Sequence, residues 1–203
     1  KSFRLFSPTG RAAKVLHENT NENASTIHRG LGYTPPNKWI YDEEHKIFAD
    51  IVIVDEFSMV DIWLFEKLLN AIDFKYTKLL MIGDNAQLPS VSCGNLLHDF
   101  MEANIIPTVT LNKIFRYSSG GLMRVATDTR CCKSYLTNEM KSKATTFGDN
   151  KDYMFIDLAS ELIPKNVAAL YKKLLDNGNS IEDIQVLTAK NVGDCGSVVL
   201  NNM

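Results

Sequence analysis

Short apolar runs alternate along the chain with stretches whose apolar residues recur at helical spacing, the pattern of an α/β fold built around a parallel sheet. Phe3 to Phe6 reads as a strand, Ser7-Pro8-Thr9-Gly10 as a turn and Arg11 to Glu18 as a helix. Ala24 to Leu31 reads as a second short helix. Tyr33 to Ala49, with Pro35-Pro36 and the charged run Asp42-Glu43-Glu44, reads as an irregular loop. Ile51-Val52-Ile53-Val54 is the strongest strand signal, because an unbroken β-branched run suits a central strand buried on both faces. It closes on Asp55-Glu56. Asp61 to Ile72 follows as a helix, with Ile62, Phe65, Leu68, Leu69 and Ile72 on one apolar stripe. Lys78 to Ile82 is a further buried strand and closes on Gly83-Asp84.

The pattern weakens towards the C-terminus. Gly94 to Ala103 and Gly121 to Cys131 are predicted as helices and Thr108 to Leu111 as a short strand. From Lys133 to Asp152 the chain turns polar, and a mobile excursion is expected there. A strand at Tyr153 to Ile156, a helix from about Pro164 to Leu175 and a strand at Ile184 to Leu187 complete the reading, with no internal repeat.

Composition narrows this only a little. A chain of 203 residues, 45% hydrophobic and 23% charged, can bury one good core or two small ones. Its net charge of -2 gives no global basic footprint, so any nucleic-acid contact has to be local. The four cysteines form neither a C-x-x-C pair nor a secreted disulfide framework, which leads us to expect a reduced, cytoplasmic protein. Cys131 and Cys132 are too close in sequence for a relaxed disulfide and lack partners for a metal, so they read as buried helix thiols. No apolar run approaches the roughly 18 residues of a membrane span, and no membrane partner is expected. The start at Lys1 without methionine and the stop at Met203 lead us to expect a piece cut from something longer.

Two places carry chemistry. A carboxylate at the C-terminal end of a parallel strand sits where open α/β sheets bind ligands, and Asp is a hard oxygen ligand suited to Mg²⁺. Asp55 would hold Mg²⁺ on nucleotide phosphates and Glu56 would orient and deprotonate the attacking water, as in a Walker B element. A strand that simply ends in a solvated turn is the competing reading. The second place is Gly83-Asp84-Asn85-Ala86-Gln87-Leu88-Pro89-Ser90-Val91, where glycine allows a sharp turn and proline stiffens the exit. Gln87 both donates and accepts hydrogen bonds, which suits a sensor of a γ-phosphate or of a water. The alternative is a surface turn stiffened by its own Asx contacts.

Taken together, Val54 to Asp61 followed by Gly83 to Val91 resembles motifs II and III of RecD-like superfamily 1 DNA helicases. Ser7-Pro8-Thr9-Gly10-Arg11-Ala12-Ala13 is similar to motif Ia of that family, Thr26-Ile27-His28-Arg29 with Leu31-Gly32 to motif Ib, and Phe115-Arg116-Tyr117 to motif IV. Gln185-Val186-Leu187-Thr188, with Gly196 and Leu200-Asn201, resembles a later stretch. Phe57 and Cys93 depart from the usual residues without touching a group that has a chemical role.

The resemblance implies a RecA-like α/β fold of the P-loop NTPase type, truncated. Residues 1–110 would be most of a first motor domain and 111–203 the beginning of a second. Pro8, Thr9, Gly10 and Arg11, with Thr26, His28 and Arg29, would touch single-stranded DNA. Asp55, Glu56, Gln87 and Arg116 would serve Mg²⁺ and ATP, with Arg116 as an arginine finger in cis. The competing readings are a half-buried helix residue packing on Leu31 for His28, a solvated helix face for Arg11 and Lys14, and a surface residue stacked on Tyr117 for Arg116. The run Tyr33 to Tyr41, with Trp39, reads either as a stacking surface for bases or as a loop pinned by its own aromatics.

At the level of the whole protein the resemblance implies ATP-driven 5′ to 3′ movement on single-stranded DNA in recombination or repair. It also implies other subunits of an exodeoxyribonuclease V complex as partners, since no carboxylate cluster suited to two metals occurs here. No G-x-x-x-x-G-K-[ST] stretch occurs in the 203 residues. That loop supplies the amides and lysine that cradle phosphates, and in the family it precedes motif Ia. The polypeptide alone is therefore expected neither to bind ATP tightly nor to hydrolyse it. A catalytically silent α/β module that binds protein or DNA is the competing function. A metal-dependent phosphatase using Asp55 and Asp84 lacks the histidine or further acid that would complete either site.

Overall fold

The computed structural model describes residues 1–111, 120–140 and 143–203. Arg116 and its motif therefore lie outside the described residues. The chain divides into two compact units, Lys1–Asn112 and Lys113–Met203.

The first unit is a parallel sheet of four strands, β1 (Phe3–Ser7), β2 (Ala24–Thr26), β3 (Ile51–Val54) and β4 (Lys78–Met81), in the order β2-β1-β3-β4. Helices α1 (Gly10–Thr20), α2 (Ile27–Gly30), α3 (Ile62–Asn70) and α4 (Leu96–Ala103) flank it. This is a RecA-like α/β fold of the P-loop type. From β1 the chain steps one way to β2, whereas β3 and β4 lie on the other side, so the strand order reverses between β1 and β3.

Side-chain alternation gives the sheet two unequal faces. Registered rows Arg4-Val52-Leu79 and Phe6-Val54-Met81 contribute Phe6, Val52 and Val54 to the main core, with Leu79 and Met81 packed against it. That core continues into Phe57, Leu64, Phe65, Leu68 and Ile72. On the other face, the row Leu5-Ile53-Leu80 runs from 6% exposure at Leu5 to 49% at Leu80. Helix α1 buries Ala13 and packs against β1 and β2, which leaves the β4 side of this face open.

Several local expectations need correcting. Ala24 to Thr26, predicted as the start of a helix, is strand β2, because its backbone pairs with Leu5 to Ser7 and helix begins only at Ile27. On α3 the inward residues are Leu64, Phe65 and Leu68, while Ile62 is exposed. Thr108 to Leu111 is not a strand, and Val109 and Leu111 are almost fully exposed. In the loop before β3 the acidic run folds on itself, as Asp42 Oδ1 accepts the amides of Glu44 and His45 at 2.9 Å each. Those donors hold the Asp42 carboxyl below its ordinary range.

The second unit holds α5 (Gly121–Arg130), the antiparallel pair β5 (Thr145–Phe147) and β6 (Tyr153–Phe155), α6 (Ile163–Asp176) and α7 (Ser197–Asn201). Asp152 caps α5 by accepting the Gly121 amide at 2.8 Å. The polar stretch read as an excursion thus supplies a strand and a cap. Ile184 to Leu187, predicted as a strand, has no strand partner, and Leu187 is 82% exposed. Cys131 and Cys132 are exposed rather than buried, because α5 ends at Arg130 and the chain turns there through a left-handed Cys132.

Candidate functional site

The carboxyl ends of four parallel strands define one edge of the first unit, and most of the sequence-predicted site residues lie there. Open α/β sheets bind ligands at this edge, in the crevice where strand order reverses. Here that crevice lies between Ser7-Pro8, which follow from β1, and Asp55-Glu56, which follow β3. The Asp55 amide donates to the Phe6 carbonyl at 2.9 Å, so the two chain ends are hydrogen-bonded neighbours.

Asp55 accepts the Glu56 amide on its own Oδ1 at 3.0 Å, and both residues are half-buried. Glu56 has a left-handed backbone, φ 53°, which is uncommon outside glycine and costs on the order of 1 kcal/mol or more. Just beyond, Phe57-Ser58-Met59 forms a short 3-10 turn with Phe57 wholly buried. Its ring meets Phe65 edge-on at 5.3 Å and stacks on Phe100 at 6.3 Å. Phe57 therefore anchors the turn that carries both acids, a role the sequence reading did not give it.

The second loop lies directly beside the first. The Ile82 amide donates to the Val54 carbonyl and the Phe57 amide to the Ile82 carbonyl, each at 2.8 Å. Gly83 passes so close that a Cβ there would fall 3.1 and 3.2 Å from the amide nitrogens of Ser58 and Phe57 and 2.9 Å from Leu97. Close approach, rather than an unusual φ, is what requires glycine. Asp84 Oδ1 accepts the Ala86 amide at 3.0 Å, so the Asx turn weighed as an alternative is present. The Gln87 side chain is exposed and has no hydrogen bond among the described residues.

Residues predicted to touch DNA occupy the ends of β1 and β2. Ser7 registers with Thr26, which brings Pro8-Thr9-Gly10-Arg11 beside Thr26-Ile27-His28-Arg29. Thr9 and Thr26 are helix N-caps, accepting from Ala12 at 3.3 Å and Arg29 at 3.1 Å. Arg11, His28 and Arg29 are exposed. Lys14 pairs instead with Glu18 at 3.7 Å. His28 does not pack as a half-buried helix residue. Its ring stacks on Trp39 at 5.7 Å and meets Tyr33 at 5.5 Å, with Tyr33 and Trp39 4.7 Å apart. The aromatic loop is thus tied to motif Ib through His28. Trp63, 68% exposed on α3, went unnoticed in the sequence. Its signal was an aromatic residue off the apolar stripe.

Two buried hydroxyls at the same edge, Ser7 Oγ and Ser58 Oγ, have no hydrogen-bond partner among the described residues. The donor set at Asp55-Glu56 fits Mg²⁺, which takes one or two carboxylates and leaves its other positions to phosphates and water. Among the described residues no group of three or more His, Cys, Asp or Glu is placed to hold a metal ion by itself. No helix among the described residues is long and apolar enough to cross a membrane.

A family model described as "AAA domain" matches residues 1–93. The ATP-dependent RecD2 DNA helicase of Deinococcus radiodurans is 37% identical over 115 residues, 57% of this chain and 16% of its own length. The RecBCD enzyme subunit RecD of Buchnera aphidicola is 29% identical over 211 residues, 90% of this chain and 33% of its own. The RecD subunit of Haemophilus influenzae is 31% identical over 122 residues, 49% of this chain and 19% of its own. The chain spans a third or less of each of these relatives. Strand order, the acids closing β3 and the glycine loop pressed against them agree with these likenesses, and over this stretch the chain is similar to the RecD-like helicases.

Proposed function

We propose that these residues form part of an ATP-driven DNA helicase motor that acts in recombination or repair. The observation that carries this reading is the contact between the two loops, Phe57 amide to Ile82 carbonyl at 2.8 Å, which holds Asp55-Glu56 and the Gly83 loop side by side. In the proposed mechanism Asp55 is the magnesium ligand, and the metal would neutralise charge on the phosphates. Glu56, set by its left-handed backbone, orients the attacking water and takes its proton. Gln87, exposed on the neighbouring loop, reports the state of the γ-phosphate, and Arg116 supplies the positive charge in cis.

Arg11, His28 and Arg29 bind the single strand, with the backbone of Pro8, Thr9 and Gly10 against phosphate oxygens and Thr26 holding the turn. Residues 1–110 are assigned to the first motor domain and 111–203 to the start of the second. Movement is 5′ to 3′, and the partners are other subunits of an exodeoxyribonuclease V type complex, in keeping with relatives named as RecBCD subunits.

A catalytically silent DNA-binding or protein-binding module is the alternative reading. On either reading the chain by itself turns over no ATP. The natural polypeptide that carries it separates the two. ATP hydrolysis stimulated by single-stranded DNA, with unwinding of duplexes bearing a 5′ tail and not a 3′ tail, is the expected result. ATP turnover indifferent to DNA, or none, would remove the motor reading.

A further inference from the structure

Between the aromatic loop and α3 lies an open groove of about 360 Å³, lined by His28, Asn37, Trp39, Trp63, Lys67 and others. Its volume is in the range of small-molecule sites. Trp39 is preset on one wall. His28 stacks against it, Tyr33 abuts it, and its Nε1 donates to Asn37 Oδ1 at 3.1 Å. The Tyr33 hydroxyl in turn donates to the Pro36 carbonyl at 3.1 Å. Trp63 stands on the other wall, 68% exposed, with no ring or hydrogen-bond partner among the described residues.

We propose that this groove is a base-binding subsite, in which one unpaired nucleobase of single-stranded DNA stacks between Trp39 and Trp63. The inference rests on the DNA-binding reading above and adds a stacking contact that the strand-end residues do not supply. His28 belongs both to that strand-end strip and to the groove, so a strand lying on the strip reaches Trp39 without leaving the surface. The local charges suit this occupant. Of the two acids on the wall, Asp61 is engaged by the Leu64 amide at 2.8 Å and Glu66 by Lys67 at 3.5 Å. Arg29 and Lys38, at either end of the aromatic loop, have no acidic partner within 4.0 Å among the described residues and are available to phosphates. Stacking requires only a π-face, so the subsite accepts any base.

Trp39 and Trp63 are the only tryptophans in the sequence, and selectively excited tryptophan emission therefore reads this groove. The chain is titrated with a fluorescein-labelled oligo-dT, following anisotropy for binding and tryptophan emission for stacking. A strand of the same length with abasic sites and the variants Trp63→Ala and Arg29→Ala are run in parallel. The expected result is quenching that saturates with the anisotropy change, loss of quenching on the abasic strand, and about tenfold weaker oligo-dT binding by Trp63→Ala. Binding that Arg29→Ala weakens, but with emission unchanged and Trp63→Ala like the parent, would overturn the subsite and leave the DNA reading standing. No binding by either signal would overturn both.

Discussion

The first unit is organised around a continuous apolar core and the second around a few local polar contacts. From Phe6 through Val52, Val54 and Phe57 to Leu68 and Ile72, buried side chains touch one another across the sheet and its helices. In the second unit, among the described residues, only Val125 and Phe147 are buried apolar side chains outside glycine and proline, and Leu170, Val198 and Val199 stay exposed. Order there comes from the Asp152 cap and from an aromatic trio, Tyr135, Phe147 and Tyr153, whose ring centroids lie 5.6 to 5.9 Å apart. A dense core holds strand ends in fixed register, and that rigidity is what keeps the acids closing β3 beside a closely packed glycine loop. Among its described residues the second unit has no such anchor of its own.

The largest effect should come from emptying the core of the first unit. Phe57→Ala removes a wholly buried ring that braces the Asp55-Glu56 turn, and a loss of about 3 to 5 kcal/mol is expected in chemical denaturation. The matched change in the second unit, Leu170→Ala at 44% exposure, should cost under about 1 kcal/mol. Similar losses at both positions would erase the contrast.

Gly83→Ala tests the loop contact. The added Cβ has to displace Leu97 and crowd two backbone nitrogens, so about 1 to 3 kcal/mol is expected, and a neutral result would mean the loops are not packed as described. Asp152→Ala strips the cap from α5 and should lower the stability of the second unit by about 1 kcal/mol without moving the first. The smallest effect concerns pH. The Tyr153 hydroxyl, which shares a hydrogen bond with Tyr135 at 3.0 Å, is pushed up to about 12 by that bond and by partial burial. A raised pKa in an acid means the folded state holds its proton more tightly. The contribution is therefore whole below pH 10 and fades as pH rises towards about 12. Ultraviolet difference titration should show one late tyrosinate that Tyr153→Phe removes.

What could be read from the chain follows the same divide. Strands β1, β3 and β4 announce themselves because apolar or β-branched runs are needed to fill a buried sheet. Strand β2 does not, since Ala24-Ser25-Thr26 is strand only through its pairing with β1. Val109 and Leu111, and Val186 and Leu187, carry strand-like sequence but find no partner, and strand propensity without a neighbouring edge does not make a strand. Asp55 and Glu56 were legible as strand-end acids, and Gly83 as a turn. The packing that makes Gly83 necessary, the burial of Phe57 and the placing of Trp39 and Trp63 along one groove all arise from residues distant in sequence. Periodicity along a single element does not reveal them.

Glu56 is where the account stands or falls. DNA-stimulated ATP hydrolysis by the natural polypeptide carrying Glu56→Gln should drop by about 100-fold or more while ATP binding persists, as loss of a positioned base requires. Turnover within a few-fold of the parent would show that the acids closing β3 do not face the nucleotide.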